Sequence, residues 1–332
     1  MPTATPIPAI LPEVAASLVT HEIPLERATL HGHFSVDLPP VLTIEPGDTV
    51  RFSTLDAGWG LEAPHLDGSD RREFTPRDPA LDEGHALVGP IAVRGARAGQ
   101  TLVVHIDELL VGPYGLTTAG GWDSPENARL GVEGGTMHLI VWELDAVTGT
   151  GTDHRGRVVQ LRPFLGVLGM PPPEPGVHPT SPPRAWGGDI DCTELVAGST
   201  LFLPIPLEGA LFSAGDGHAR QGDGEVSTVA LECPFECVQL TIDVRDDLPL
   251  SMPIALTDEA WIAFGFGEDL DDAAAVATDG MLALMGRELG LERRDALALA
   301  SVVVDLRVTQ MVNGVRGVHA VLKRDAIHFP GS

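Results

Sequence analysis

The sequence predicts a mainly β protein, a sandwich-like or barrel-like body with a C-terminal helical pair, α+β overall. Two observations predict the β body. The 38 glycines and 28 prolines mark turns along the whole chain, and short runs of β-forming residues lie between those turns. A third observation predicts the helices, because apolar residues recur at helical spacing only after residue 268.

Nine segments between the turn signals have the composition of strands. They are residues 18–23, 49–54, 87–93, 101–110, 137–143, 158–161, 199–205, 226–231 and 238–244. Residues 215–225 lie between the predicted strands 199–205 and 226–231. We therefore expect this segment to form the connection between those two strands.

The C-terminal part is predicted to form two helices and a strand. A helix is predicted over residues 270–289, because its start is acidic and Gly290 follows its end. A second helix is predicted from residue 292 to about residue 305. Asn313-Gly314 then predicts a turn before a last strand over residues 317–323.

The chain is expected to form one domain over residues 1–332. Its β body would cover residues 1–250, and the helical α+β segment, residues 251–332, would pack on that body. The proline-rich segment 170–183 is the one long irregular stretch and is predicted to be a loop.

Charge and hydropathy exclude several classes of partner. Lys and Arg number 21 against 47 Asp and Glu, a formal net charge of -26. Nucleic acids and anionic membranes bind basic surfaces, so neither is an expected partner. No stretch of 18 uncharged apolar residues predicts a membrane span. Because no basic region precedes an apolar stretch at the N-terminus, we expect a cytoplasmic location.

The three cysteines, Cys192, Cys233 and Cys237, cannot all pair with one another. Their spacing lacks the repeated two-residue spacer of a zinc site. We expect buried, reduced thiols.

The segment 215–225 has the most suggestive composition for chemistry. It contains four glycines, two aspartates, a glutamate, a histidine and a glutamine. Glycines let a backbone approach a ligand closely, and carboxylates with imidazole suit a divalent metal or acid–base catalysis. A solvated polar hairpin loop would explain the same composition.

Four further positions place polar or aromatic side chains at glycine-rich turns or strand ends. His31 and His33 occupy alternate positions of an extended segment, which point to one side, although solvent-exposed histidines are the favoured explanation of this segment taken alone. Trp59 follows Asp56 at a turn, and Glu133 begins a predicted strand. The segment 186–191 places two carboxylates after a glycine pair.

Several common catalytic motifs do not occur. The sequence has no GxSxG elbow, no P-loop, no HExxH and no dinucleotide fingerprint after a first strand. Serine hydrolases, nucleotide triphosphatases and dehydrogenases are therefore disfavoured.

Six segments together resemble the acetamidase/formamidase family, in the family's order and over nearly the full length. They are His31-Gly32-His33-Phe34-Ser35-Val36-Asp37-Leu38-Pro39-Pro40, Phe52-Ser53-Thr54-Leu55-Asp56-Ala57-Gly58, Pro163-Phe164-Leu165-Gly166-Val167, Gly187-Gly188-Asp189-Ile190-Asp191, residues 215–225 and residues 306–314. The chain has Asp189 where the family usually has Asn.

The resemblance implies a metal-dependent amidohydrolase that cleaves short aliphatic amides, such as formamide or acetamide, to carboxylate and ammonia. The implied cofactor is a divalent metal ion, zinc first, with calcium or another divalent ion as alternatives. The alternative function is a divergent or non-catalytic metal-binding member, or one that acts on another small amide such as a lactam.

The resemblance also suggests roles for individual residues. Asp191, Asp216 and His218 are expected to bind the metal, with His31 as a further candidate, and Glu225 is expected to act as general base and acid. Asp223 and Glu133 would support Glu225. Gln221 and Trp59 would contact the substrate.

Three other readings remain open at this point. Cys192 as a covalent nucleophile is disfavoured, because the neighbouring Asp191 raises a thiol pKa. A non-enzymatic binding protein fits the acidic loops. A sugar-binding or sugar-cleaving β protein would need aromatic platforms, and five Trp and one Tyr make these sparse. A β body of this size is expected to form a homo-oligomer with a small-molecule amide as its ligand.

Overall fold

Two open β-sheets form the body of the protein in a computed structural model that describes residues 19–328. In chain order the strands are β1 (Thr20–Glu22), β2 (Leu30–His31), β3 (Leu42–Ile44), β4 (Asp48–Phe52), β5 (Leu87–Val93), β6 (Thr101–Val111), β7 (Tyr114–Ala119), β8 (His138–Asp145), β9 (Thr150–Asp153), β10 (Val158–Gln160), β11 (Phe164–Gly169), β12 (Gly187–Asp189), β13 (Thr200–Pro204), β14 (Phe212–Arg220), β15 (Leu231–Glu232), β16 (Phe235–Arg245), β17 (Ile254–Leu256), β18 (Ala260–Gly267), β19 (Val304–Gln310) and β20 (Arg316–Lys323).

The first sheet has nine strands in the order β1-β4-β16-β6-β13-β17-β18-β20-β19. The second has eleven strands, eight of them in the order β10-β9-β8-β7-β15-β14-β11-β12, while β5 joins β14 to the short strands β2 and β3. Most neighbouring pairs are antiparallel; β1 with β4 and β3 with β5 are parallel. The first sheet continues across residue 250, because β13 pairs with β17.

Within residues 19–328, three α-helices accompany the sheets: α1 (Pro125–Leu130), α2 (Leu270–Leu289) and α3 (Arg293–Val303). Asp269 caps α2 by accepting a hydrogen bond from the backbone N–H of Asp272, and Gly290 ends it in a left-handed conformation. Helix α2 lies directly on β18, and a Cβ atom on Gly265 would collide with the carbonyl of Ala273. No helix within residues 19–328 is long and apolar enough to cross a membrane.

Two large hydrophobic clusters form most of the core of the described residues, beside a small third cluster of Phe34, Leu87 and Val167. The larger of the two includes side chains from both sheets, such as Phe52, Ile106, Phe212 and Phe235. The other large cluster lies between the first sheet and the helical pair, and it contains Phe202, Met281 and Met285. The predicted β body with a helical pair near the C-terminus is confirmed. The sheets are open rather than closed into a barrel.

Most element predictions are confirmed within two residues; the start of the first predicted strand, Leu18, lies outside the described residues. Helix α2 and strand β5 have the predicted bounds. Half of the twenty strands were not predicted, namely β2, β3, β7, β9, β11, β12, β14, β17, β18 and β19. Cys192, Cys233 and Cys237 are buried and unpaired, as expected.

Two predictions around residue 220 are wrong. Residues 215–220 belong to the buried strand β14 instead of a connecting loop, and residues 226–230 form turns instead of a strand. The physical reason is that β14 lies between β5, β15 and β11. Its glycines allow close packing, since a Cβ atom on Gly215 would lie 2.9 Å from a methyl of Leu87. Asp216 and His218 on this strand are buried in the site described below and do not face water.

Candidate active site

Neighbouring strands of the second sheet bring acidic and imidazole side chains together. Asp216 and His218 are two residues apart on β14, so their side chains share one face. Asp189 ends β12, which pairs with β11, and β11 pairs with β14. Glu232 on β15 is the register partner of His218. Asp191 follows β12 by two residues.

His218 is the centre of this cluster and is almost completely buried. Its Nε2 lies 3.3 Å from Asp216 Oδ2 and 3.3 Å from Glu232 Oε1. Its Nδ1 lies 3.9 Å from Asp191 Oδ1. The edge of its ring contacts Phe164, with 5.0 Å between the ring centroids. The imidazole is thus fixed on several sides by groups of the second sheet.

The acids of the cluster have unusual backbone conformations. Asp191, Asp216 and Glu225 have φ angles of 55°, 58° and 45°, in the left-handed region that side-chain-bearing residues rarely adopt. Such conformations cost on the order of 1–3 kcal/mol each and persist where the surrounding structure enforces them. They turn three carboxylates from three separate segments towards one point.

Gly166 of β11 makes room for two of these carboxylates. A Cβ atom at this position would collide with Asp216 Oδ2 and would lie 2.8 Å from Asp191 Oδ1. The Gly166 carbonyl also accepts a hydrogen bond from the N–H of Ile190 at 2.9 Å. The residue that follows Pro163-Phe164-Leu165 must therefore be glycine for both acids to reach their positions.

Two further side chains reach the site from other parts of the chain. Asn313, in the turn between β19 and β20, donates from Nδ2 to Asp189 Oδ2 at 2.9 Å and to Asp191 Oδ2 at 3.0 Å. His85 lies with Nε2 4.0 Å from Asp189 Oδ2, and its Nδ1 is hydrogen-bonded to Thr180 Oγ1 at 2.9 Å.

Sequence reasoning missed the contributions of His85, Asn313 and Glu232. Asn313 belongs to the segment 306–314 that resembles the family, but the Asn-Gly pair by itself predicts only a turn. His85 follows Gly84 in a polar stretch, and Glu232 precedes Cys233, and neither context has a recognisable signal. Strand pairing brings Glu232 to His218, and packing of distant segments brings His85 and Asn313 to Asp189.

These groups surround a cavity of about 210 Å³. Its polar lining comes from the cluster, and its remaining walls are small or apolar. The lining residues are Ala57, His85, Leu116, Thr118, Asp189, Asp216, His218, Glu225, Thr228, Val229, Glu232 and Asn313. The cavity therefore suits a small polar molecule.

Burial dominates the electrostatics of the cluster. It raises the pKa of Asp191 to about 6, against the effect of His218. Burial and the charge of Asp191 raise the pKa of Asp189 and of Glu225 well above their usual ranges. Burial acts in the same direction on Asp216, but His218 outweighs it and the pKa of Asp216 is lowered. The negative groups outnumber the positive ones, which favours a bound cation.

Unsatisfied buried atoms also point to a ligand. Among residues 19–328, Asp189 Oδ1, Asp191 Oδ1, His218 Nδ1, Gln221 Oε1 and Glu232 Oε2 are buried atoms with no hydrogen-bond partner. Native proteins seldom leave such atoms unpaired, because each costs about 1–3 kcal/mol. Their convergence at one place is expected of a site that binds an ion.

Three overlapping groups of side chains have metal-binding geometry, with ligand atoms within 4.8 Å of one another in each group. The groups are His85 with Asp189 and Asp216, Asp191 with His218 and Glu225, and Asp216 with His218 and Glu232. Carboxylate oxygen and imidazole nitrogen suit zinc as well as harder divalent ions. The residues present therefore fit a divalent metal.

The structure places His31 apart from this cluster. Its Nδ1 donates to the carbonyl of His33 at 2.6 Å, and its Nε2 accepts from Ser213 Oγ at 2.9 Å. Burial lowers the pKa of His31 to about 4, against the hydrogen bond to His33. Both ring nitrogens are thus occupied, and His31 is a neutral core histidine.

The remaining predicted site residues differ in whether they lie beside the cluster. Gln221 borders the cluster, since its Nε2 donates to the carbonyl of Asp191 at 3.0 Å. Asp223 is exposed and accepts a hydrogen bond from Thr193. Glu133 is exposed on the loop after α1, and it is outside the cavity lining. Trp59 is fully buried and donates to the carbonyl of Gly84 at 2.9 Å, so it packs in the core.

Cys192 lacks the environment of a reactive nucleophile. Its thiol donates to Glu194 Oε2 at 3.3 Å. Burial, with the charge of Glu194, raises the pKa of this thiol well above its usual range. The neutral thiol is the unreactive form, which disfavours the covalent route.

Comparisons with known proteins identify the family and the fold of this chain. Residues 19–176 and 175–321 match the Acetamidase/Formamidase family. The acetamidase of Mycolicibacterium smegmatis is 27% identical over 278 residues, which are 65% of this chain and 66% of that protein. The formamidase of Methylophilus methylotrophus is 26% identical over 248 residues, 60% of either chain. The chain thus spans slightly less than two thirds of the length of these curated relatives.

Solved structures resemble the fold over most of its length. A predicted acetamidase/formamidase from Thermoanaerobacter tengcongensis has a TM-score of 0.79 at 25% identity, covering 92% of this chain and 96% of that one. An acetamidase from Bacillus halodurans has a TM-score of 0.77 at 26% identity, covering 91% and 97%. The family model matches nearly the whole described chain and the fold is shared, so the chain belongs to the acetamidase/formamidase family.

Proposed function

We propose that this chain hydrolyses short aliphatic amides, of the formamide and acetamide type, to a carboxylate and ammonia. The observation that carries the proposal is the cavity of about 210 Å³ in which carboxylates and imidazoles converge. The names of the relatives favour the same chemistry. A cavity of this size with small and apolar remaining walls favours short acyl groups.

We assign Asp191, Asp216 and His218 as the residues that would hold a divalent ion, with Glu232 beside His218. Unpaired atoms of Asp191, His218 and Glu232 supply donors for it. A bound divalent ion would supply Lewis acidity, which polarises a carbonyl group and acidifies water. Zinc is our first expectation, since the donor set combines imidazole with carboxylate.

Glu225 is our candidate for the proton transfers. It lies in one group with Asp191 and His218 and lines the cavity. A carboxylate there takes a proton from the attacking water as the C–O bond forms. It then gives that proton to the amide nitrogen as the C–N bond breaks, so that ammonia leaves.

The test is ammonia release by the purified full chain from formamide, acetamide and a lactam, beside elemental analysis of the same sample. We expect turnover of the linear amides, a bound divalent metal, and loss of activity on chelation that the metal reverses. Absence of ammonia from every amide by the metal-loaded protein would refute the proposal. Turnover of the lactam alone would move the substrate to cyclic amides.

The cytoplasmic location and the homo-oligomeric state stay predictions from the sequence. Size-exclusion chromatography with light scattering measures the oligomeric state directly.

A further inference from the structure

We propose that Asn313 determines the specificity of this site for amides, because its Oδ1 accepts a hydrogen bond from the N–H of the substrate. The inference rests on the proposed function and adds a recognition group to it. Its hydrogen bonds to Asp189 and Asp191 position those carboxylates, and the inference concerns the other end of the carboxamide.

The backbone around Asn313 is rigidly placed. Asn313 and Gly314 have φ angles of 63° and 75°, so both residues of the turn are left-handed. The side chain of the fully buried Gln310 holds this turn in place with two hydrogen bonds. Its Oε1 accepts from the N–H of Val312 at 2.7 Å, and its Nε2 donates to the carbonyl of Val315 at 2.9 Å. The backbone from which the Asn313 side chain projects is therefore held in one conformation.

The orientation of the Asn313 carboxamide follows from its partners. Nδ2 lies 2.9 Å from Asp189 Oδ2 and 3.0 Å from Asp191 Oδ2. Carboxylate oxygens accept hydrogen bonds, so the NH₂ group, with two donors, must face them. Both N–H donors are then used, and Oδ1 is left as the free end of the carboxamide.

Oδ1 of Asn313 has no hydrogen-bond partner among residues 19–328, and Asn313 lines the cavity beside His85 and Glu225. A carboxamide oxygen accepts hydrogen bonds but cannot donate them. A primary amide offers N–H donors, whereas an ester of similar size offers none. Asn313 thus provides a contact that only the amide can use.

The experiment compares acetamide with methyl acetate as competitors of formamide hydrolysis, with calorimetric titration for variants that lack turnover. Asn313→Gly removes the side chain and tolerates the left-handed backbone. We expect it to weaken acetamide binding about tenfold relative to methyl acetate, the loss of one hydrogen bond. Asn313→Asp keeps an acceptor oxygen, so the relative binding of the two ligands should stay as in the unmodified protein.

Circular dichroism and metal content establish that both variants are folded and loaded. Equal weakening of acetamide and methyl acetate in Asn313→Gly would overturn the inference and would restrict Asn313 to positioning Asp189 and Asp191. In that case formamide hydrolysis by the unmodified chain still supports the proposed function. If the unmodified chain releases no ammonia from formamide, the proposed function fails, and this inference falls with it.

Discussion

At the scale of single residues, the strained backbones of Asp191, Asp216 and Glu225 place their carboxylates in the site. Each has a left-handed φ, and each is almost fully buried. Glycine would relieve the backbone at these positions but would remove the carboxylate. Strain therefore marks the site independently of its charge, as is common where function fixes geometry.

Replacing Glu225 with Gln tests its role in proton transfer. Gln has nearly the same shape but cannot take up a proton, so we expect kcat to fall by about 10²- to 10⁴-fold. Metal content, measured by elemental analysis, should stay unchanged, since Asp191, Asp216 and His218 are intact. Glu133→Gln, at an exposed position, is the matched control and should keep nearly full activity. Near-normal turnover by Glu225→Gln would remove Glu225 from the mechanism.

His31 should make stability depend on pH. Its folded pKa of about 4 lies below the usual value of 6.5, so the neutral form is favoured on folding. The stabilisation is fully present above pH 6.5 and is lost as the pH falls towards 4, because the unfolded chain binds the proton first. The shift corresponds to about 3 kcal/mol.

His31→Gln cannot titrate in this range. The free energy of unfolding, measured by denaturant titration between pH 7 and pH 4, should therefore fall less steeply for this variant than for the unmodified protein. His138→Gln, at an exposed histidine, controls for loss of a histidine as such. If the free energy of unfolding falls equally steeply with pH in His31→Gln and in the unmodified protein, His31 is not the source of the pH dependence.

At the scale of elements, the hairpin of β19 and β20, which belongs to the first sheet, contacts the candidate active site of the second sheet. Arg307 of β19 forms an ion pair with Glu194, and His319 Nε2 of β20 lies 3.3 Å from the same carboxylate. Burial opposes ionisation of Glu194, but His319 and the other partners lower its pKa to about 2. The turn of this hairpin then presents Asn313 to Asp189 and Asp191.

The contact of β11 with β14 depends on Gly166. Gly166→Ala places a methyl group against the carboxylates of Asp216 and Asp191, and overpacking of this kind typically costs about 1–3 kcal/mol. We expect a lower melting temperature, weaker metal retention and a large loss of ammonia release. The measurements are differential scanning calorimetry, elemental analysis and the activity assay.

Gly134→Ala is the matched control for Gly166→Ala, because no atom lies within 4 Å of the added methyl group at Gly134. It should behave like the unmodified protein. Full activity and full metal content in Gly166→Ala would show that the acids have room to move, contrary to their packing against β11.

At the scale of the whole molecule, a net charge of -26 acts against compactness through self-repulsion. Raising the salt concentration from about 0.01 M to 0.1 M shortens the Debye length from about 30 Å to about 10 Å. We expect the melting temperature to rise by about 1 to 2 °C, as an increase in stability of about 1 kcal/mol would produce in a chain of this length.

Sodium chloride and tetramethylammonium chloride at equal ionic strength separate screening from specific cation binding. Screening by itself predicts the same rise with both salts in calorimetric scans. A rise with sodium alone would instead indicate a specific ion site. If neither salt changes the melting temperature, charge repulsion does not measurably lower the stability of the protein.

Local signals predicted much of the fold and part of the site. The helix over residues 270–289 was predictable because its period, its acidic start and Gly290 are all local features. The strand over residues 87–93 was predictable because a short apolar run between turn signals is typical of a buried strand. Asp216 and His218 were recognisable as chemical groups, yet the strand that contains them was misread as a loop.

The sequence by itself determined the β body, the helical pair, the acidic surface and which residue types were available for chemistry, since composition and short-range periodicity encode these. Only the tertiary structure decided which of those groups meet. It joined His85, Glu232 and Asn313 to His218 and left His31 in the core and Glu133 at the surface. Pairing between distant strands sets these distances, and no local pattern records that pairing.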